Sequence, residues 1–178
     1  MKKFELTAES KINIFGKKLF RIKALISFGD VKEGETGGWV EKEENLEQSS
    51  GNAWVYGDAE VYGNARVYGN ARVSGNAEVY GNARVYGDAR VSGDAMVSGN
   101  AEVYGNADYT TIRGFGTQFR ATTFFRCKDK QIRVSCGCFF GTISEFREQV
   151  KNTRKGKIAE EYLMIADLME KHFAEEAK

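Results

Sequence analysis

Residues 51–110 are one six-residue word, Gly-(Asn/Asp)-Ala-x-Val-(Tyr/Ser), written ten times without a break in register, from Gly51-Asn52-Ala53-Trp54-Val55-Tyr56 to a degraded Gly105-Asn106-Ala107-Asp108-Tyr109-Thr110. A period this short restricts a chain to a repeating coil, because each word is too small to bury anything by itself and gains a core only by stacking on its neighbours. Ala and Val stand two apart and point to the same side of a strand, while the residue between them and the residue after Val point away. Gly followed by Asn or Asp then supplies a corner, since both types tolerate a left-handed backbone. Three words close a triangle of eighteen residues, so ten words predict about three coils and a hollow filled by Val and Ala alone.

Stacking at that period sorts the outward residues into columns. One face carries Trp54, Arg72, Arg90 and Asp108, with Tyr56, Ser74, Ser92 and Thr110 beside them. The second carries Glu60, Glu78 and Met96, with Tyr62, Tyr80 and Ser98. The third carries Arg66, Arg84 and Glu102 beside an unbroken tyrosine column, Tyr68, Tyr86 and Tyr104, and its corners are Asn64, Asn82 and Asn100 with no Asp. Tyr and Arg stack well on exposed strands and are also enriched where proteins grip one another. Arg66, Tyr68, Arg84, Tyr86, Glu102 and Tyr104 therefore form the candidate contact face.

The flanks do not repeat. In residues 1–50, Lys11-Ile12-Asn13-Ile14-Phe15 and Leu19 to Leu25 alternate like strands around a Gly16-Lys17-Lys18 turn, which predicts a hairpin. Gly37-Gly38-Trp39-Val40 reads as a half-formed word, Leu46 as a further inward residue, and Glu41 to Glu47 as a solvated acidic loop. This segment is expected to be a β cap leading into the first coil, with Trp39 and Trp54 packing against it. Residues 111–178 predict a second hairpin, Thr122–Cys127 and Gln131–Cys136 around Lys128-Asp129-Lys130. A helix follows, opened by the capping box Thr142-Ile143-Ser144-Glu145, and then a second from about Lys157 with Ile158, Tyr162, Ile165, Met169 and His172 or Phe173 along one stripe. The fold expected is thus mainly β: a β-helix with a β cap before it and a hairpin and two-helix tail after it.

Charge separates the parts mildly. Residues 51–110 carry four Lys/Arg against seven Asp/Glu, and residues 111–178 carry thirteen against nine. A net charge of +1 marks neither a nucleic-acid mimic nor a strongly basic binder. No apolar run approaches the length of a membrane span and no leader pattern opens the chain, so cytoplasm is the expected location and no membrane is an expected partner. Arg113, Arg120, Arg126, Lys128, Lys130 and Arg133 interleave with Phe115, Phe119, Phe124 and Phe125. That mixture can mark a nucleic-acid or nucleotide surface, although an amphipathic sheet with its aromatics inward reads the same way. It stands as the second-choice surface. Cys127, Cys136 and Cys138 with His172 have poor spacing for zinc, so no metal or cofactor is expected.

The repeat resembles the hexapeptide-repeat, left-handed β-helix superfamily. The whole chain, through Phe20-Arg21-Ile22-Lys23-Ala24-Leu25, Gly37-Gly38-Trp39-Val40-Glu41, the Gly-Asn-Ala words and Cys136-Gly137-Cys138-Phe139-Phe140-Gly141-Thr142, is similar to small phage and prophage proteins labelled transferases or polymer-forming cytoskeletal proteins. The resemblance implies a left-handed coil and a phage or prophage origin. It transfers no catalytic residue: acyltransferases built on such coils use a histidine base beside the coil, the zinc carbonic anhydrases on the same coil use three histidines, and the one histidine here, His172, lies in the tail. The expected function is a non-catalytic accessory protein that binds and inhibits a host protein or complex, in particular a defence component. Kept beside it are a self-assembling structural protein or homo-oligomer, an acyltransferase with an unfamiliar base, and a sponge for a small nucleotide.

Overall fold

The computed structural model of the protein describes residues 2–174. The chain opens with β1 (Phe4–Ile12) and β2 (Lys18–Ala24), an antiparallel hairpin, and β2 pairs antiparallel with β3 (Thr36–Val40). Nine two-residue strands follow, one per word: β4 (Trp54–Val55), β5 (Glu60–Val61), β6 (Arg66–Val67), β7 (Arg72–Val73), β8 (Glu78–Val79), β9 (Arg84–Val85), β10 (Arg90–Val91), β11 (Met96–Val97) and β12 (Glu102–Val103). They stack in parallel as three faces. β4, β7 and β10 form the first, β3, β5, β8 and β11 the second, and β6, β9 and β12 the third.

The columns read from the period are present: Trp54 lies on Arg72 and Arg72 on Arg90, Glu60 on Glu78 and Glu78 on Met96, Arg66 on Arg84 and Arg84 on Glu102. Every Ala and Val of the nine words, Ala53 to Val103, is fully buried in one continuous core. The corners are narrower in their demands than expected. The Gly of each of the nine stacked words has a left-handed backbone, as at Gly75 with φ 69°, whereas Asn and Asp do not; among the described residues, Phe119 and Lys130 are the non-glycine residues with positive φ.

The stack is longer at its start than the repeat and shorter at its end. β3 pairs in parallel with β5, and Leu46 bridges in parallel to Val67, so residues 36–50 already make a turn of the coil and the solenoid has about four turns rather than three. Its first turn is enlarged: Val40 lies over Val61 and Leu46 over Val67, 21 apart, where Val61 lies over Val79 at the ordinary 18. The extra residues hold Gln48, whose side-chain oxygen accepts from the Lys3 and Phe4 amides at 2.8 and 3.1 Å and whose amide donates to the Phe4 carbonyl at 2.8 Å. The insertion thus pins the first strand to the coil. At the other end the tenth word leaves the stack. Asn106–Asp108 is a 3-10 turn, and Asp108 caps the Tyr104 and Gly105 amides at 2.9 Å instead of lying on Arg90.

The predicted second hairpin is the middle of a four-stranded antiparallel sheet, β13 (Tyr109–Ile112), β14 (Thr122–Arg126), β15 (Ile132–Cys136) and β16 (Phe139–Thr142). β14 crosses the open end of the coil. Its neighbour Cys127 bridges to Ala101, the Met96 amide donates to the Thr123 hydroxyl, and the Lys128 amide donates to the Asn100 carbonyl. Adjacent residues of a strand face opposite sides, and here both sides are covered: Phe125 closes the Val-Ala core while Phe124 enters a second core with Phe146, Val150, Tyr162, Ile165 and Met169. Those residues come from α1 (Ile143–Thr153), capped by Thr142 with Glu145 returning the bond, and α2 (Gly156–Phe173).

Candidate functional site

Each face of the coil meets a different neighbour. On the first, residues 25–35 fold over the outward Trp54, which is buried between Phe28 and Phe4, ring centroids 5.4 and 6.1 Å away, and Asp30 pairs with Arg72 at 2.5 Å. Both tryptophans are packing residues: Trp39 is buried under Arg21 and Lys11, 4.3 and 4.6 Å from its ring. On the second face the tip of the β1–β2 hairpin reaches down over Tyr62 and Tyr80, which stack at 5.0 Å and 1°. Tyr62 is buried and donates to Glu78 at 2.8 Å. Burial raises the Glu78 carboxyl, and neighbouring Glu60 adds to the rise while the Tyr62 hydroxyl opposes it.

The third face keeps its aromatic column open. Tyr68 and Tyr86 stack at 4.9 Å and 7°, with the Arg66 guanidinium 5.9 Å from the Tyr68 ring. Tyr104 breaks the ladder. It turns edge-on to Tyr86 at 63° and 5.3 Å and is 62% exposed. The reason lies in its neighbours. No coil stacks beyond it, its amide is held by Asp108, and its ring leans into the space beside Gly87, where a Cβ would stand only 2.7 Å from it. Glu102 approaches Arg84 at 3.8 Å, and Arg66 and Arg84 are exposed. Burial, then Glu102, raises the Tyr86 phenol. All six residues proposed for this face are therefore brought together, Arg66, Arg84 and Glu102 on β6, β9 and β12 and each tyrosine immediately after its strand.

One feature of this face escaped the sequence reading. A groove of about 570 Å³ runs beside Arg66 between Asn64 and the enlarged first turn, lined by Lys42, Glu43, Glu44, Leu46, Glu47 and Gln48. The acidic run Glu41 to Glu47 was its signal, but a solvated loop and a groove wall have the same composition.

The second-choice basic surface does not form one patch. Arg113 pairs with Asp94, Arg133 with Asp129 at 2.7 Å, and Arg126 reaches Asp108 at 3.5 Å and the Phe173 carbonyl at 3.2 Å. Lys128 and Arg133 line one depression, Arg126 and Lys130 another, Arg113 a third, and exposed Arg120 lies against Gly137. The expected inward-facing aromatics hold for Phe124 and Phe125, but Phe119 is exposed. The dispersal follows from their spread over separate strands and loops: Arg126 is in β14 and Arg133 in β15, while Arg113, Arg120, Lys128 and Lys130 lie between strands.

Cys127 is buried, Cys136 half-buried and Cys138 exposed, and burial pushes the Cys127 thiol up to about 11. His172 is exposed at the end of α2 with its ring against Phe173. Among the described residues no three His, Cys, Asp or Glu side chains converge, and no helix is long and apolar enough to cross a membrane.

A family model described as the YdcK Beta solenoid repeat matches residues 59–75, 65–79, 77–91 and 89–105, all within the stacked words. The stacked words are a β-solenoid of repeats. The similarity covers the coil between β5 and β12 and does not extend to the hairpin, the terminal sheet or the helices. No curated protein matches it.

Proposed function

We propose that the chain is a non-catalytic binding protein whose stiff coil presents Arg66, Tyr68, Arg84, Tyr86, Glu102 and Tyr104 to a protein partner. The observation carrying this reading is the contrast between two tyrosine columns of one coil. The second-face column is covered by the chain's own hairpin, whereas the third-face column is left open beside two exposed arginines. Aromatic and arginine side chains on a rigid support lose little freedom on contact and dominate binding energy at interfaces. In the finer form of the proposal the protein is a phage or prophage accessory that works in the host cytoplasm and blocks a host protein or complex.

The test is affinity capture from infected cells with the wild-type protein and with Tyr68→Ser, Tyr86→Ser and Tyr104→Ser combined. A partner retained by the first and lost by the second, with thermal unfolding unchanged, supports the contact face. A partner held equally by both removes it.

A further inference from the structure

The second and third faces carry the same pattern of residues with the charge reversed. Glu60, Tyr62, Glu78 and Tyr80 on the second occupy the word positions that Arg66, Tyr68, Arg84 and Tyr86 occupy on the third, six residues later. The tyrosine pairs match, at 5.0 Å and 1° against 4.9 Å and 7°. The second face has its occupant in place. In the hairpin tip, Lys11 meets the Glu60 carboxylate at 2.8 Å, Asn13 donates to it at 3.2 Å, and the Phe15 ring lies 6.3 and 6.1 Å from Tyr62 and Tyr80. Lys11 stands at the end of β1, while Asn13 and Phe15 belong to the turn, which the Gly16 amide closes on the Asn13 carbonyl at 3.0 Å, so the three reach the face from the bend of the hairpin.

We infer that the third face takes a hairpin segment of a partner protein that carries a carboxylate where this chain's hairpin has Lys11 and an aromatic ring four residues further on, in its turn. The inference rests on the contact face proposed above and names what that face recognises. The aromatic residue seats against Tyr68 and Tyr86 as Phe15 does against Tyr62 and Tyr80, and the carboxylate meets Arg66, with Arg84 one coil above it. The charge excludes the nearest alternative occupant. The hairpin of a second copy would bring Lys11 against Arg66 and Arg84, and like charges set opposite one another discriminate against a partner as effectively as attraction selects one.

The probe is a fluorescein-labelled cyclic peptide copying residues 9–20, made with Lys11→Glu and, as its control, with Lys11 kept. Anisotropy is read against the full-length protein at low ionic strength. The Lys11→Glu peptide is expected to bind more tightly than the control by about fivefold, the effect of one exposed ion pair gained and one repulsion removed. Arg66→Glu with Arg84→Glu is expected to invert that preference, and Tyr68→Ser with Tyr86→Ser to abolish binding of both peptides. These positions are outward, so circular dichroism and thermal unfolding serve as the check that each variant is folded. Equal binding of the two peptides, a preference that survives the arginine reversal, or no binding of either peptide at millimolar concentration overturns the inference. Should the capture experiment still show loss with the triple tyrosine variant, the contact face stands and only the chemistry assigned to its partner falls.

Discussion

Asn and Asp are not equivalent at the corners of this coil. Asn64 donates its amide to Asn82 and Asn82 to Asn100, each at 3.3 Å, and parallel ladders run from Asn52 through Asn70 to Asp88 and from Asn76 to Asp94. A carboxylate only accepts, so Asp serves at the receiving end, as at 88 and 94, and breaks a ladder in its middle. We expect Asn82→Asp to destabilise the protein by about 0.5–1.5 kcal/mol and Asn100→Asp to be near neutral, measured by urea denaturation. Glycine at the corner has two separable causes. Gly75 (φ 69°) would place a Cβ 2.9 Å from the Gly93 carbonyl oxygen, whereas Gly93 (φ 71°) would meet nothing within 4 Å. Gly93→Ala should therefore cost about 1 kcal/mol of backbone strain and Gly75→Ala more than twice that, read as the difference in unfolding free energy. Lys3 is a third case. It is buried, donates to the Ala53 carbonyl at 3.2 Å and sits 4.8 Å from the Phe28 ring. Burial lowers its ammonium from 10.5 to about 8, with Glu47 opposing the fall. The folded state then holds fewer protons than the unfolded state between those values, so stability rises as pH climbs from about 8 to 10.5 and the penalty is complete below that window. Lys3→Met should remove this part of the rise, seen by comparing denaturation midpoints of the two proteins across the same pH series.

The elements that matter most are the ones that do not repeat. A two-residue strand contributes one inward Val, and its stability comes from the coil above and below it. β14 is different, because Phe125 seals the Val-Ala core and Phe124 anchors the helices from the same strand. Phe125→Ala should cost about 3–5 kcal/mol and Thr142→Ala, which removes the α1 cap, about 1 kcal/mol. Both are checked by thermal unfolding, and the cap variant should leave the coil's own strand signal intact at temperatures where the helical signal falls. The hairpin shows how far such elements were legible. Its existence and its second strand follow from the alternation of Lys11 to Phe15 and Leu19 to Leu25, but its first strand lies earlier, at Phe4–Ile12, and Asn13 to Phe15 belong to the turn, because the Asn13 side chain and carbonyl hold the bend there. Its docking on Tyr62 and Tyr80 does not follow, because Phe15 and Ile14 have the same pattern whether or not a face lies beneath them, and only Phe15 finds one.

For the molecule as a whole, the governing problem is that a parallel stack ends in unpaired strand edges. The protein closes one end with β1, β2 and residues 25–35 and the other with β14. The sides between the caps are unequal as a consequence, since the N-terminal cap also drapes over the first and second faces and leaves the third free. A chain ending at residue 110 should keep its repeat yet expose the β11 and β12 edges, and we expect it to self-associate. Light scattering against the full chain at equal concentration is the measurement, and a truncated protein that stays monomeric would show that the terminal sheet is not needed as a plug.

The words by themselves determined the coil, its inward Val and Ala, and which residues share a column, because a strict six-residue period leaves one register in which every apolar side chain is buried. They also mark where that register must end, although not how. The half-formed word at Gly37–Val40 and the inward Leu46 hinted at an earlier turn, but tertiary structure alone decided that they close a full, enlarged one, that the tenth word turns away to form a cap, and that the basic residues of the tail part company. It decided, too, which tyrosine column is open. Those outcomes depend on contacts between segments far apart in the chain, such as Gln48 with Phe4, Phe125 with the last coil and Phe15 with Tyr80, and no local pattern encodes a distance between two such segments.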